Sequence, residues 1–143
     1  MENFYFDTTD FRDTRERAEE NVNMIEGEAL CEFLKTALLT NGFTTDDVFP
    51  EDFGWVFYAT LGDQRYFVTA SLDPADDFPK WDQHPPSNTV MFANINVEKK
   101  RGLKEKLLGR NKQTANDPAE RAVLKALQNH PAVSELKYSR NDD

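Results

Sequence analysis

The run from Asp46 to Leu72 constrains the fold of this chain more than any other stretch, because its residues read as a single β-hairpin. Trp55, Phe57, Ala59 and Leu61 alternate with Val56, Tyr58 and Thr60, and the segment is rich in the aromatic and β-branched residues that suit a pleated, half-buried surface. Gly62-Asp63 then forms a two-residue turn, glycine accepting positive φ and aspartate tolerating it. With those two residues as the loop the register follows: Leu61 faces Gln64, Ala59 faces Tyr66, Tyr58 faces Phe67, Phe57 faces Val68 and Trp55 faces Ala70. One face is Trp55, Phe57, Ala59, Tyr66, Val68, Ala70 and Leu72, apolar enough to be a core face. The other, Val56, Tyr58, Thr60, Arg65, Phe67, Thr69 and Ser71, is mixed.

A third strand from Thr89 to Glu98 turns the hairpin into a meander, with Met91, Ala93, Ile95 and Val97 on one side and Val90, Phe92, Asn94 and Asn96 on the other. The apolar face of such a sheet needs a cover. A helix from about Met24 to Thr40 supplies it, since Ile25, Ala29, Phe33, Ala37 and Leu38 recur at three- and four-residue spacing and Asn41-Gly42 makes a left-handed stop. Gly27 inside that pattern costs about 1 kcal/mol of helix propensity, which favours a start just after it. Asp117-Pro118-Ala119-Glu120 opens a second helix, with proline at the first helical position and the spacing of a capping box. Ser134 to Ser139 closes the chain as a strand. The expectation is one α+β domain of order α-β-β-β-α-β, an antiparallel meander covered by helices on one face. Residues 1–13, with Phe4, Tyr5, Phe6 and Phe11, are expected as an aromatic, acidic arm docked on the domain or on a second copy. Residues 73–87 are expected as a long proline-rich loop, and 99–112 as a basic one.

At 143 residues the chain can bury one sizeable core. Its single cysteine, Cys31, excludes an internal disulfide and lies beside Leu30 and Leu34 in a helical run, as a small core residue would. No apolar run reaches the length of a membrane span, so a soluble cytoplasmic protein is expected.

The net charge of −9 is unevenly spread: residues 1–98 carry 20 acidic and 6 basic side chains, residues 99–143 carry 6 and 11. Such a field argues against general nucleic-acid binding and for cationic partners. Glu51 and Asp52, with Asp46 and Asp47, precede the first hairpin strand, where carboxylates can do acid/base work or simply shape turns. Asp73, Asp76, Asp77 and Asp82 with His84 lack the glycine and distal glutamate of a calcium loop, and neither His84 nor His130 has a helix-spaced partner for zinc. No metal or other cofactor is expected. A glycine-flanked serine elbow and a phosphate-cradling glycine pattern are both missing. Lys99–Lys112 holds seven basic residues and one acidic one, suited to contact with nucleic acid or an acidic partner, or to pairing with the acidic half of the same or another copy. Tyr58, Phe67 and Phe92, framed by Thr60, Thr69, Asn94 and Asn96, make either a recognition surface or a face covered by the arm or the long loop.

Pro50-Glu51-Asp52-Phe53-Gly54-Trp55, followed by a hairpin, a capped helix and the ending HPAVSELKY, resembles a loose group of small uncharacterised bacterial proteins that carry E-D-W-G-W at a strand start. Glu51, Asp52, Gly54 and Trp55 match that pattern, and Phe53 stands in place of its tryptophan; the likeness covers roughly residues 28–138. It implies a bacterial or phage source and an α+β fold, and it implies no activity. The functional expectation is a non-enzymatic, acidic protein-binding module of immunity or inhibitor type. It would engage a basic partner through Glu51, Asp52, Asp73, Asp76 and Asp77, with Tyr58, Phe67 and Phe92 as aromatic contacts, and a homodimer is an open alternative. The competing readings are a small carboxylate- or metal-dependent hydrolase and nucleic-acid contact through residues 99–112.

Overall fold

The computed structural model describes residues 1–75 and 84–141 of the chain. The hairpin is β4 (Gly54–Leu61) and β5 (Gln64–Pro74), joined at Gly62 with φ 59°. Its register is the one the turn dictates, from Leu61 opposite Gln64 to Trp55 opposite Ala70. β6 (Met91–Lys99) pairs antiparallel with β5 and completes the meander. The single domain is α+β and its seven strands form one antiparallel sheet.

The order of elements differs from the expected α-β-β-β-α-β. The N-terminal segment is not an arm: Glu2–Thr8 is a strand, β1, inserted between β6 and the last strand, β7 (Ser134–Arg140). Burying Phe4 and Phe6 on the core side of a sheet removes more ring surface from water than docking them from outside, and the flanking strands satisfy the backbone on both edges. The polar 13–23 segment forms a separate short helix, α1 (Arg15–Glu19). The connection after the main helix contains two more short strands, β2 (Thr44–Thr45) and β3 (Phe49–Glu51), which share one edge of β4. Asp73 and Pro74, expected in the long loop, extend β5, while residues 76–83 lie outside the described residues. Within the basic segment Leu103–Leu107 forms a short helix, α3.

The main helix is α2 (Glu28–Thr40), beginning just after Gly27. It rests on β4 and β5 with the last helix, α4 (Pro118–Gln128), beside it. Leu30, Cys31, Leu34 and Leu38 of α2 and Ala119, Ala122, Val123 and Leu127 of α4 share one core with Trp55, Phe57, Val68, Ala93 and Ile95 of the sheet. The close approach has a backbone cause. Gly27 and Gly54 both press on the carbonyl of Ala70, where an added Cβ would stand 2.5 and 2.6 Å from its oxygen. Asp13 satisfies the free N–H groups at the start of α2, accepting from Gly27, Glu28 and Ala29 at 2.7 to 2.9 Å. The expected capping box of α4 does not form: Asp117 takes no side-chain cap bond, and Glu120 is buried in an ion pair with Arg140 of β7.

Candidate interaction face

Strand alternation gives the sheet a second face, whose residues are those left over by the core. Cross-strand register sets them in rows. Thr69 of β5, Asn96 of β6 and Asn3 of β1 form the middle row, joined by a 2.8 Å bond from the Asn96 amide to Asn3 Oδ1. Ser71, Asn94 and Tyr5 form the next row towards one end, and Asp73, Phe92 and Asp7 the row beyond it. Towards the opposite end stand Phe67 beside Tyr58 and, beyond them, Arg65 with Lys100 close by. The helix α2 packs on the opposite face, and in the middle row Val56, the cross-strand partner of Thr69 on β4, is fully buried.

The two ends differ in composition: Arg65 and Lys100 stand beside Asp46 and Glu98 at one, and Asp73, Asp7 and Asp52 gather near Lys137 at the other. At one, the Arg65 guanidinium lies 3.7 Å over the ring of Tyr58, whose centroid is 4.9 Å from that of Phe67, and the Lys100 ammonium is 6.0 Å from the Phe67 ring. A hollow of about 270 Å³ opens there between Thr44, Asp46, Tyr58, Thr60 and Arg65, and the Asp46 carboxylate is engaged by the Tyr58 N–H at 2.7 Å. At the other end Phe92 stacks on Tyr5, centroids 5.9 Å apart and planes 15° apart, with exposed Asp73 and Asp7 on its neighbouring strands. The Asp52–Phe53 turn enters β4 at this same end, because Gly54 precedes Trp55 and Trp55 pairs with Ala70. That turn is tied down from behind: Asn21 donates to the carbonyls of Glu51 and Gly54, and Asn23 to that of Asp52. Asp52 and Phe53 are left exposed.

Of the residues singled out in the sequence, Glu51, Asp52, Asp73 and Phe92 are therefore brought to one end of the sheet. Tyr58 and Phe67 are not with them; they lie at the opposite end, among Arg65, Lys100, Asp46 and Glu98. Asp76 and Asp77 lie outside the described residues. Tyr5 and Asp7 were missed because three aromatics in the first six residues hide a strand alternation, Phe4 and Phe6 inward, Tyr5 and Asp7 outward.

Comparison with family models, curated proteins and solved structures finds no match to this chain. The chemistry must therefore be read from the side chains themselves. The face offers hydroxyls, carboxamides, ring faces and charged groups at its two ends, which suits recognition. Among the described residues no three His, Cys, Asp or Glu side chains are arranged to hold a metal ion. His84 lies 3.1 Å from the buried Glu26 carboxylate, which also receives two bonds from Arg12, and 3.0 Å from the Asp13 carbonyl oxygen. Cys31 is buried, its thiol pushed well above the ordinary range by burial, and Sγ sits 3.3 Å from the Trp55 carbonyl oxygen. No described helix is long and apolar enough to cross a membrane.

The basic segment touches the acidic half locally: the Asn111 amide donates to Gln64 Oε1 at 2.7 Å and the Gln64 amide donates to the Lys100 carbonyl at 2.8 Å. Lys99 pairs with Asp117 and Lys100 with Glu98, both local, while Lys104, Lys106, Arg110 and Lys112 make no ion pair among the described residues. Around them Leu103 and Leu107 are 75% and 77% exposed and Leu108 53%.

Proposed function

We propose that the protein is a non-enzymatic binding module, of inhibitor or immunity type, whose acidic sheet end takes a basic partner. The observation that carries this reading is the gathering of exposed Asp52, Asp73 and Asp7 with the exposed rings of Phe53 and Phe92 at one end of the sheet. Rings framed by charge supply apolar contact and orientation together, and carboxylates at an exposed rim steer a cationic partner. The test is calorimetric titration of an arginine-rich peptide into dilute protein. Wild type binds, and the combined reversal Glu51→Lys, Asp52→Lys and Asp73→Lys weakens binding by at least about ten-fold, as loss of close charge pairs does. Equal affinity for both proteins contradicts the reading.

A second reading has its own support in the exposed leucines of residues 99–112 and in four cations there that make no ion pair among the described residues. Four such cations can neutralise phosphates or carboxylates of an anionic partner. Salt-sensitive retention on a polyanion column, lost when Lys104, Lys106, Arg110 and Lys112 become Glu, supports it; retention unchanged by those substitutions excludes it.

A further inference from the structure

Helix α3 carries its apolar stripe on the outside. At about 100° per residue, Leu103 and Leu107 share one line along the helix, Lys104 and Lys106 flank that line at about 80° to either side, and Glu105 lies opposite it. A surface helix of a globular protein turns its leucines to the core. Here the half-buried residue is Glu105, whose carboxylate accepts from the Gly102 N–H at 3.3 Å, while Leu103 and Leu107 are 75% and 77% exposed. Leu108, where the helix ends, is a third exposed leucine. Exposed Lys104, Lys106, Arg110 and Lys112 surround them and make no ion pair among the described residues. We propose that this knuckle docks on the surface of an anionic membrane. Leu103, Leu107 and Leu108 enter the boundary between headgroups and acyl chains, and the four cations lie among the headgroup anions. This rests on the anionic-partner reading of residues 99–112 and names the partner as lipid.

The occupant has to be apolar and anionic at once. Single-stranded nucleic acid takes cations but stacks its bases on aromatic rings, and residues 99–112 contain none. Protein interfaces are depleted of lysine, whereas lysines border the leucines on both sides here. A bilayer surface accepts the combination: leucines reach the acyl boundary, and lysine stems run along apolar surface with the ammonium left in the headgroup layer. The charge is also available. Of the seven cations in the segment, Lys99 and Lys100 are taken by Asp117 and Glu98, and Arg101 donates to the carbonyls of Glu105 and Arg110. The other four face Glu105, which points inward, and exposed Asp63 of the nearby β4–β5 turn. The knuckle is fastened to the Arg65 end of the sheet, since the Lys100 N–H donates to the Arg65 carbonyl at 2.9 Å. Asp73 lies eight residues further along β5, about 26 Å at about 3.3 Å per residue. That is roughly three times the about 8 Å over which physiological salt screens a charge, so the acidic end does not repel a surface held at α3. Such contact is distinct from crossing, for which no described helix is long and apolar enough.

The test is co-sedimentation of the full chain with vesicles, one set of phosphatidylcholine alone and one of phosphatidylcholine and phosphatidylserine in equal parts, run beside the polyanion column. Wild type sediments with the mixed vesicles and not with the neutral ones. The pair Leu103→Gln and Leu107→Gln weakens vesicle binding by at least about ten-fold and leaves retention on the column unchanged. Replacing Lys104, Lys106, Arg110 and Lys112 by Glu weakens vesicle binding by at least about a hundred-fold and abolishes retention. All these positions are exposed, so the fold does not depend on them, and circular dichroism verifies it. Wild type left in the supernatant of the mixed vesicles overturns the proposal. So does equal sedimentation with both sets, or vesicle binding indifferent to the leucine pair. Should the column retain wild type while the mixed vesicles do not, lipid is refuted and the anionic-partner reading stands, with a water-soluble polyanion as its occupant. Failure of both refutes both.

Discussion

Glu26 is 1% exposed, yet it carries a charge that Arg12 neutralises through two bonds of 2.8 Å, while Arg12 also donates to the carbonyls of Pro85 and Pro86. The cluster fastens the 84–86 segment to the start of α2, because the Glu26 backbone also bridges to Leu72 of β5. A buried pair of this kind adds little beyond an apolar replacement, but removing one partner strands the other. Arg12→Ala should therefore cost about 3–5 kcal/mol in urea denaturation. A loss below about 1 kcal/mol would show that the pair is solvated. Asp117 gives a pH dependence. Burial opposes its ionisation, but the Thr114 N–H, the Lys99 ammonium and the Tyr66 hydroxyl outweigh burial and hold the carboxyl below its ordinary range. A folded-state pKa below the unfolded value of about 3.9 means that its stabilisation is complete above that pH and is lost as the pH falls through the lowered value. Asp117→Asn should thus be less stable than wild type at pH 7 by about 1–3 kcal/mol, the two proteins converging in strong acid. A gap that does not change with pH would contradict the assignment. The partner Tyr66 is shifted up, by burial first and then by Asp117.

At the scale of elements, what was legible in the sequence was whatever local pattern decides. The hairpin register follows from two turn residues, and the start of α2 after Gly27 follows from the cost of glycine in a helix. Where tertiary contact decides, the sequence was silent. β1 has no partner near it in the chain: it pairs with β6 and β7, roughly 90 and 130 residues away, and its meaning emerges only when those edges exist. β2 and β3, of two and three residues, are strands only because β4 offers an edge. Glu120 looked like a cap and is instead claimed by Arg140, a partner on β7. Two outcomes belong here. Gly54→Ala forces a Cβ onto the Ala70 carbonyl oxygen and should destabilise by about 1–3 kcal/mol, whereas Gly62→Ala meets no atom within 4 Å and pays only for its positive φ. Equal losses would show that the approach at Ala70 does not constrain the sheet. Deleting residues 1–8 strips the centre of the β6–β1–β7 ladder, and the shortened chain should show no cooperative thermal transition by circular dichroism. Retention of a sharp transition would mean that β1 is dispensable.

On the scale of the whole molecule, charge and layering coincide. Helices and sheet share one core, and the sheet face turned away from it carries amides, hydroxyls and two aromatic pairs, one beside paired charges of both signs and one at the acidic end. The candidate site was half legible for the same reason as the fold. The mixed character of Tyr58, Phe67 and Phe92 could be read from alternation, but their separation to opposite ends depends on strand pairing, as does the arrival of Asp7 and Tyr5. Thiol labelling reads the state of this face directly, because Cys31 is buried and stays silent. In Ser71→Cys protein, a small substitution in the open rows, a bulky maleimide should react quickly at high dilution. The reaction should slow as the arginine-rich peptide is added, and adding Asp73→Arg should abolish the slowing. Rapid labelling at every peptide concentration would contradict an acidic sheet end that takes a basic partner.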